Sequence, residues 1–216
     1  MIEQRPHPLR INAQYFGHPI DRHFTLDQRH GERFKHQRKT TFRTRPGNAG
    51  VINQDSDQFI KSPAEWQPLP GSLEAIARLN QAEYRVVVAT NQSGVARGLF
   101  DMPTLNAIHN KMHKACALVG ARIDAVFFCP HTAESHCDCR KPKTGMLEEI
   151  AARYNVSLSG VPVVGDSLRD LLPAVALGAL PYLVLTGKGT KTYAAGNLPE
   201  GTQIFPDLAA VAAALL

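Results

Sequence analysis

The sequence has no apolar run approaching the roughly 20 residues that a membrane-crossing helix needs. Its opening residues, Met1-Ile2-Glu3-Gln4-Arg5-Pro6, have no apolar segment of the kind that marks a secretory leader. Serine is absent from residues 1–50, which still carry four acidic residues. A mitochondrial transit peptide would be Ser-rich and acid-poor, so that reading is excluded as well. No internal repeat or low-complexity tract is found. Cysteine is scarce, with four in 216 residues, and three of them fall between positions 129 and 139. Cys137 and Cys139 are too close along the chain to form an unstrained disulfide easily. Thiols grouped in this way favour a reducing compartment, and the expected location is the cytoplasm.

The positive charge is confined to one part of the chain. Residues 1–50 hold ten Lys/Arg against four Asp/Glu, a balance of +6, while residues 51–216 hold fourteen against fifteen, a balance of −1. The basic residues of the first segment are scattered among His, Gln and Pro and form no stripe. Neither nucleic acid nor membrane is therefore an expected partner. No helical or alternating periodicity survives there for more than a few residues. Residues 1 to about 45 read as disordered or only locally ordered, and the expected division is a basic segment 1–49 followed by a folded domain 50–216.

Within that domain the densest chemistry is Cys129-Pro130-His131 followed by Cys137-Asp138-Cys139-Arg140-Lys141-Pro142. Cys129, His131, Cys137 and Cys139 form a Cys3His set, a standard closed ligand set for structural Zn2+. His136 is a second-ranked alternative, because it disturbs the spacing. Cys116 lies in a helical stretch away from the cluster and reads as a buried small hydrophobe. A metal pinned in the loop 129–139 would fix Arg140 and Lys141 at one place and angle, as a phosphate site requires.

From residue 51 strands and helices alternate. Residues 71–79, 101–119, 146–154, 168–177 and 208–216 have apolar residues at helical spacing, and Gly178 closes the fourth of these. Short apolar runs at 84–90, 125–128, 161–164 and 182–185 read as buried parallel strands. The expected fold class is α/β, a doubly wound parallel sheet with helices on both faces. Ligands bind such a sheet beyond the C-terminal ends of its strands. Three polar turns lie there: Thr90-Asn91-Gln92-Ser93, the cluster with Lys141, and Gly165-Asp166. In the first, Gly94 is expected to let the backbone approach a ligand, and Arg97 adds a cation. In the third, Asp166 and Asp170 offer hard oxygen ligands for Mg2+.

Taken together, Thr90-Asn91-Gln92-Ser93-Gly94-Val95-Ala96-Arg97-Gly98, Cys129-x-His131, Cys137-x-Cys139-Arg140-Lys141-Pro142 and Gly165-Asp166-Ser167-Leu168-Arg169-Asp170 resemble the haloacid-dehalogenase-like phosphatases over about residues 50–216. The resemblance is narrower to the branch that hydrolyses the 7-phosphate of a heptose bisphosphate in bacterial lipopolysaccharide precursor synthesis. The histidinol-phosphatase domain shares the zinc loop and is the alternative. The resemblance implies a small phosphosugar substrate and a monomer that uses Mg2+ and Zn2+. It implies that Thr90 and Lys141 steady the phosphoryl group, that Asp166 and Asp170 serve Mg2+, and that Arg140 helps recognise the substrate. Asp55, Ser56, Asp57, Gln58, Asn91, Gln92, Ser93, Arg97 and Ser167 would contact the sugar phosphate.

The chain departs from the family at its first motif, Asp-x-Asp-Gly followed by Val/Thr-Ile-Asn after an apolar strand. Gly50-Val51-Ile52-Asn53 matches the tail, which leaves Gly47 at the nucleophile position and Ala49 at the acid/base position. Residues 38–45, Arg-Lys-Thr-Thr-Phe-Arg-Thr-Arg, do not read as a buried strand, so the central first strand is expected to be degraded or absent and solubility poor. Two explanations follow. Either residues 1–49 are out-of-frame or mis-joined sequence ahead of an intact phosphatase, or the chain is a pseudo-phosphatase that binds without turnover.

Overall fold

The structure is a computed structural model, and it describes the main chain of residues 40–44 together with residues 50–54, 56 and 58–216. In chain order it places β1 (Thr40–Thr44), α1 (Ser72–Gln81), β2 (Arg85–Asn91), the short α2 (Ser93–Ala96), α3 (Met102–Leu118) and β3 (Ala125–Cys129). Then follow α4 (Gly145–Tyr154), β4 (Pro162–Gly165), α5 (Leu168–Ala176), β5 (Leu180–Val184), α6 (Gly189–Ala194), β6 (Gln203–Phe205) and α7 (Leu208–Leu215). The strands form one sheet in the order β3-β2-β1-β4-β5-β6, with every neighbouring pair parallel.

β2 shows why a parallel sheet forms. It is buried from Val86 to Asn91, so both of its faces must be covered. Val86 and Val88 pack in one apolar layer with Ile76 of α1, Met112 of α3 and Val211 of α7. Val87 and Ala89 pack in a second layer with Leu147 and Ile150 of α4 and Ala174 of α5. Cys116 is buried in the first layer, as its setting in the sequence suggests.

One expectation is overturned. A strand does form at Thr40–Thr44, and it occupies the middle of the sheet between β2 and β4. Thr40–Thr44 stand opposite Arg85–Ala89 on one side, and Phe42 and Arg43 stand opposite Val163 and Val164 on the other. A ladder is built from main-chain donors and acceptors, and two neighbouring strands supply both. Thr, Thr, Phe and Thr are also residue types that favour extended backbone. Reading the segment by its arginines and lysines alone missed that. The sheet thus begins ahead of the expected boundary at residue 50. The expected character of residues 1–39, and the positions Gly47 and Ala49, lie outside the described residues.

Smaller differences lie at the edges. α6 and the three-residue edge strand β6 were not anticipated, since neither is long enough to show a period. Among the described residues no helix is long and apolar enough to cross a membrane.

Candidate active site

The chain runs from β1 outward to β2 and β3, then returns to lay β4 on the other flank of β1. The loops beyond the C-terminal ends of β2, β3, β4 and β5 border this reversal point, where open parallel sheets bind ligands.

The most constrained side chain there is Lys141, which is 1 % exposed. Its Nζ donates to the carbonyl of Ala89 on β2 at 2.8 Å and to Asp170 Oδ1 on α5 at 2.8 Å. Both side chains of this ion pair are fully buried. Asp170 Oδ2 accepts the Ser167 hydroxyl at 2.8 Å, so both carboxylate oxygens are already engaged. A Cβ at Gly165 would lie 2.2 Å from Asp170 Cβ, which is why the strand ends in glycine. The structure thus ties Asp170, expected beside Asp166 as an Mg2+ ligand, to the lysine. Burying an ammonium is costly unless it is paired and hydrogen-bonded, and here it has both.

β2 delivers Thr90, Asn91 and, just beyond, Ser93 into the same region, and all three are buried. Asn91 Oδ1 accepts the Lys141 N–H and Asn91 Nδ2 donates to the Lys141 carbonyl, each at 3.1 Å. Thr90 Oγ1 accepts from Gln92 Nε2 at 3.2 Å. Gly94 has a different role from the one expected. A Cβ there would strike the Phe100 ring at 2.3 Å, so glycine is required for packing.

The loop after β3 gathers Cys129, His131, Cys137 and Cys139, whose ligand atoms all lie within 4.8 Å of one another. Cys129 Sγ is 3.6 Å from Cys137 Sγ and 3.6 Å from His131 Nδ1. Cys139 Sγ is 3.5 Å from Cys137 Sγ and 3.4 Å from His131 Nδ1. Zn–S bonds of about 2.3 Å and Zn–N bonds of about 2.0–2.1 Å put tetrahedral ligands roughly 3.5–3.8 Å apart, so the residues fit that ion. Burial pushes the Cys129 and Cys139 thiols up, and a cation among them would oppose that shift. His136 is exposed and outside the group.

This loop is bound to the β2 turn at several points. Gln92 N–H donates to the Cys129 carbonyl at 2.6 Å and Ala96 N–H to the Pro130 carbonyl at 3.3 Å. Arg140 Nη1 donates to the His131 carbonyl at 3.1 Å, so the guanidinium is anchored to the cluster itself. On the nearby rim, Glu134 is held below the usual carboxylate range by its own N–H and the Thr132 hydroxyl, with smaller help from Arg97 and Arg140.

Asp166, at the end of β4, is fully buried. Its Oδ2 accepts the Lys188 N–H at 2.7 Å, and its carbonyl accepts the Thr192 hydroxyl at 2.8 Å. The Thr186 hydroxyl donates to the Gly50 carbonyl. At Gly187, where φ is +61°, a Cβ would lie 2.3 Å from Asp166 Oδ2 and 2.5 Å from Gly50 Cα. The Thr186–Thr192 stretch was missed at the level of sequence. Its signal was a further polar, glycine-bearing turn directly after the strand at 182–185.

The remaining expected contacts are less integrated. Ser56 Oγ donates to the Phe59 carbonyl at 3.2 Å and accepts the Gln58 N–H at 3.3 Å, a local turn with Gln58 exposed. Arg97 is exposed and Ser167 half-buried. Asp55 and Asp57 lie outside the described residues.

Residues 48–167 match the family described as polynucleotide kinase 3 phosphatase, and residues 138–211 match the HAD-hydrolase-like family. The D-glycero-beta-D-manno-heptose-1,7-bisphosphate 7-phosphatase of Bordetella bronchiseptica is 64% identical over 167 residues, which is 77% of this chain and 93% of that protein. The Pseudomonas aeruginosa protein of the same name is 54% identical over the same shares. The crystal structure of D,D-heptose 1,7-bisphosphate phosphatase from B. bronchiseptica, complexed with magnesium and phosphate, matches at a TM-score of 0.79 and 60% identity. It covers 82% of this chain and 97% of that one. At such identity over nearly the whole length of these relatives, the chain belongs to the haloacid-dehalogenase-like phosphatases, in the branch of the D-glycero-beta-D-manno-heptose-1,7-bisphosphate 7-phosphatases.

Proposed function

We propose that this fold serves hydrolysis of the 7-phosphate of D-glycero-D-manno-heptose 1,7-bisphosphate, in the supply of the lipopolysaccharide core precursor ADP-heptose. The observation that carries this reading is Lys141, a buried ammonium fixed between Ala89 O and Asp170 at the C-terminal edge of the sheet. A positive charge held in advance favours a phosphoryl group as charge develops on its oxygens. Thr90 is the second residue proposed to steady that group. Arg140, anchored to the His131 carbonyl, is proposed to meet the rest of the substrate, and so is Arg97. Asp166 suits Mg2+, which takes oxygen ligands from one or two carboxylates plus substrate phosphate. Bound there, Mg2+ would offset charge on the phosphoryl oxygens. Cys129, His131, Cys137 and Cys139 would hold Zn2+ and so fix the loop that carries Arg140 and Lys141.

In the family's reaction one carboxylate attacks phosphorus in line, and the P–O bond to the sugar breaks as a second carboxylate protonates the leaving oxygen. The second carboxylate then takes a proton from water, which cleaves the aspartyl-phosphate and releases inorganic phosphate. In this chain the corresponding positions are Gly47 and Ala49, which can neither attack nor shuttle a proton. Asp55 and Asp57 follow the motif tail and are not proposed as substitutes. We therefore propose that residues 1–49 are out-of-frame or mis-joined sequence standing where the family has its first strand and Asp-x-Asp-Gly. In support, the match to the Bordetella protein covers 93% of that protein but only 77% of this chain.

A second reading is binding without turnover, supported by the bonds that join Lys141, Asn91 and Asp170 into one buried network at the sheet edge. The protein is proposed to act as a cytoplasmic monomer. The test is to resequence the DNA around codons 40–50. In parallel, the chain as written is compared with one whose first 49 residues are replaced by an apolar strand ending in Asp-Arg-Asp. The restored protein should hydrolyse heptose bisphosphate in preference to histidinol phosphate, and the chain as written should hydrolyse neither. Turnover by the unaltered chain would overturn the assignment of Gly47 and Ala49. Preference for histidinol phosphate would overturn the substrate.

A further inference from the structure

Asn91 is the last residue of β2, and it is 1 % exposed. Its side chain offers one acceptor and one donor group, and both are directed at a single residue. Oδ1 accepts the Lys141 N–H and Nδ2 donates to the Lys141 carbonyl, each at 3.1 Å. The ammonium of the same lysine bonds to Ala89 O, two residues back on β2. Lys141 is thus fastened to one strand at both ends of its length, main chain at Asn91 and Nζ at Ala89. Asp170 of α5 closes the third side.

We propose that Asn91 is a positioning residue, acting on the phosphoryl group only through Lys141 by clamping that residue's N–H and C=O to the end of β2. The proposal rests on the reading of this region as a phosphoryl cradle, and it replaces the expectation that Asn91 touches the sugar phosphate. The chemistry singles out asparagine. An aspartate would keep the acceptor for the Lys141 N–H but would set a carboxylate oxygen against the Lys141 carbonyl. An alanine would leave both main-chain groups buried without this partner. Lys141 follows directly on Arg140 and the last ligand of the Cys/His cluster, so the clamp ties the end of that loop to β2.

The test is amine acetylation of the folded full-length chain, read lysine by lysine by mass spectrometry. In the unaltered protein Lys141 should be protected, since its side chain is fully buried. In Asn91→Ala its labelling rate should rise by about tenfold or more, while Lys111 and Lys188 keep their rates, because a local opening exposes only what the clamp held. Asn91→Asp, with half the clamp, should fall between. Protection of Lys141 unchanged in folded Asn91→Ala would overturn the proposal.

Should Asn91→Ala fail to fold, the unaltered chain still decides by NMR. The Lys141 N–H and the Asn91 Nδ2 protons should exchange slowly with solvent, and fast exchange at both would overturn the clamp. Inorganic phosphate supplies a second arm. Asn91→Ala should weaken its binding in the native background and have no further effect in Lys141→Met, whereas additive losses would mean direct contact and overturn the proposal. If the unaltered chain binds no phosphate, the cradle reading is what fails, and the labelling result still settles the clamp.

Discussion

Lys141 is a fully buried cation of the candidate site, and its place directly after the metal-type cluster was legible in the sequence. Its partner was not. Asp170 looked like a second carboxylate for Mg2+ because it lies four residues after Asp166, but helical spacing says nothing about which way a strand-end loop will reach. Lys141→Met should therefore do more than remove a charge. It leaves Asp170 buried without its cation, and we expect about 3–5 kcal/mol of lost stability by urea unfolding, much of it recovered in Lys141→Met/Asp170→Asn. A stability loss confined to the range of surface substitutions would contradict the buried pair. His109 gives a pH-dependent counterpart. Burial, with a smaller contribution from His113, lowers its pKa to about 4 from an ordinary 6.5, and its ring lies 6.3 Å from that of Phe128. The unfolded chain then binds the extra proton between pH 6.5 and about 4, so the contribution is fully present above pH 6.5 and is lost as pH falls through that window. Thermal melts of His109→Gln should show a flatter pH profile there than the native chain, and an unchanged profile would refute the assignment.

At the scale of elements, the longer strands and helices from 72 onward could be read from periodicity because they are doubly buried or amphipathic, whereas α6 and β6 are too short to show a period. β1 could not, because Thr-Thr-Phe-Arg-Thr is not an apolar run in the sequence, and only the pairing with β2 and β4 marks it as a strand. The consequence is a sharp length dependence. A chain beginning at residue 37, where the second compact unit starts, should melt within a few degrees of the full chain. One beginning at residue 50 opens the middle of the sheet and should lose cooperative unfolding by circular dichroism. Equal melting of the two truncations would mean that β1 adds nothing. The Cys/His loop makes the complementary prediction. Elemental analysis of protein purified without chelator should find one zinc per chain, and Cys139→Ser should lower both the metal content and the melting temperature, since structural zinc contributes directly to folding. A melting temperature indifferent to Cys139→Ser and to chelator would argue against a structural ion.

For the molecule as a whole, the balance of −1 over residues 51–216 leaves the +6 of the first fifty to dominate ion exchange of the full chain while saying little about the site. An all-parallel sheet is made of distant pairings, so refolding should be slow for the protein's size, in milliseconds to seconds by stopped-flow fluorescence of Trp66, and a microsecond phase carrying the full amplitude would contradict the topology. The order of strands also sets a timetable for biosynthesis. Phe42 is opposite Val87 on one side and opposite Val163, 121 positions on, on the other. As the chain leaves the ribosome, β1 finds its first neighbour early, yet its other edge stays open until β4 has emerged. Between the making of Phe42 and that of Val163 the growing chain therefore carries an exposed β edge that invites a chaperone or another nascent chain.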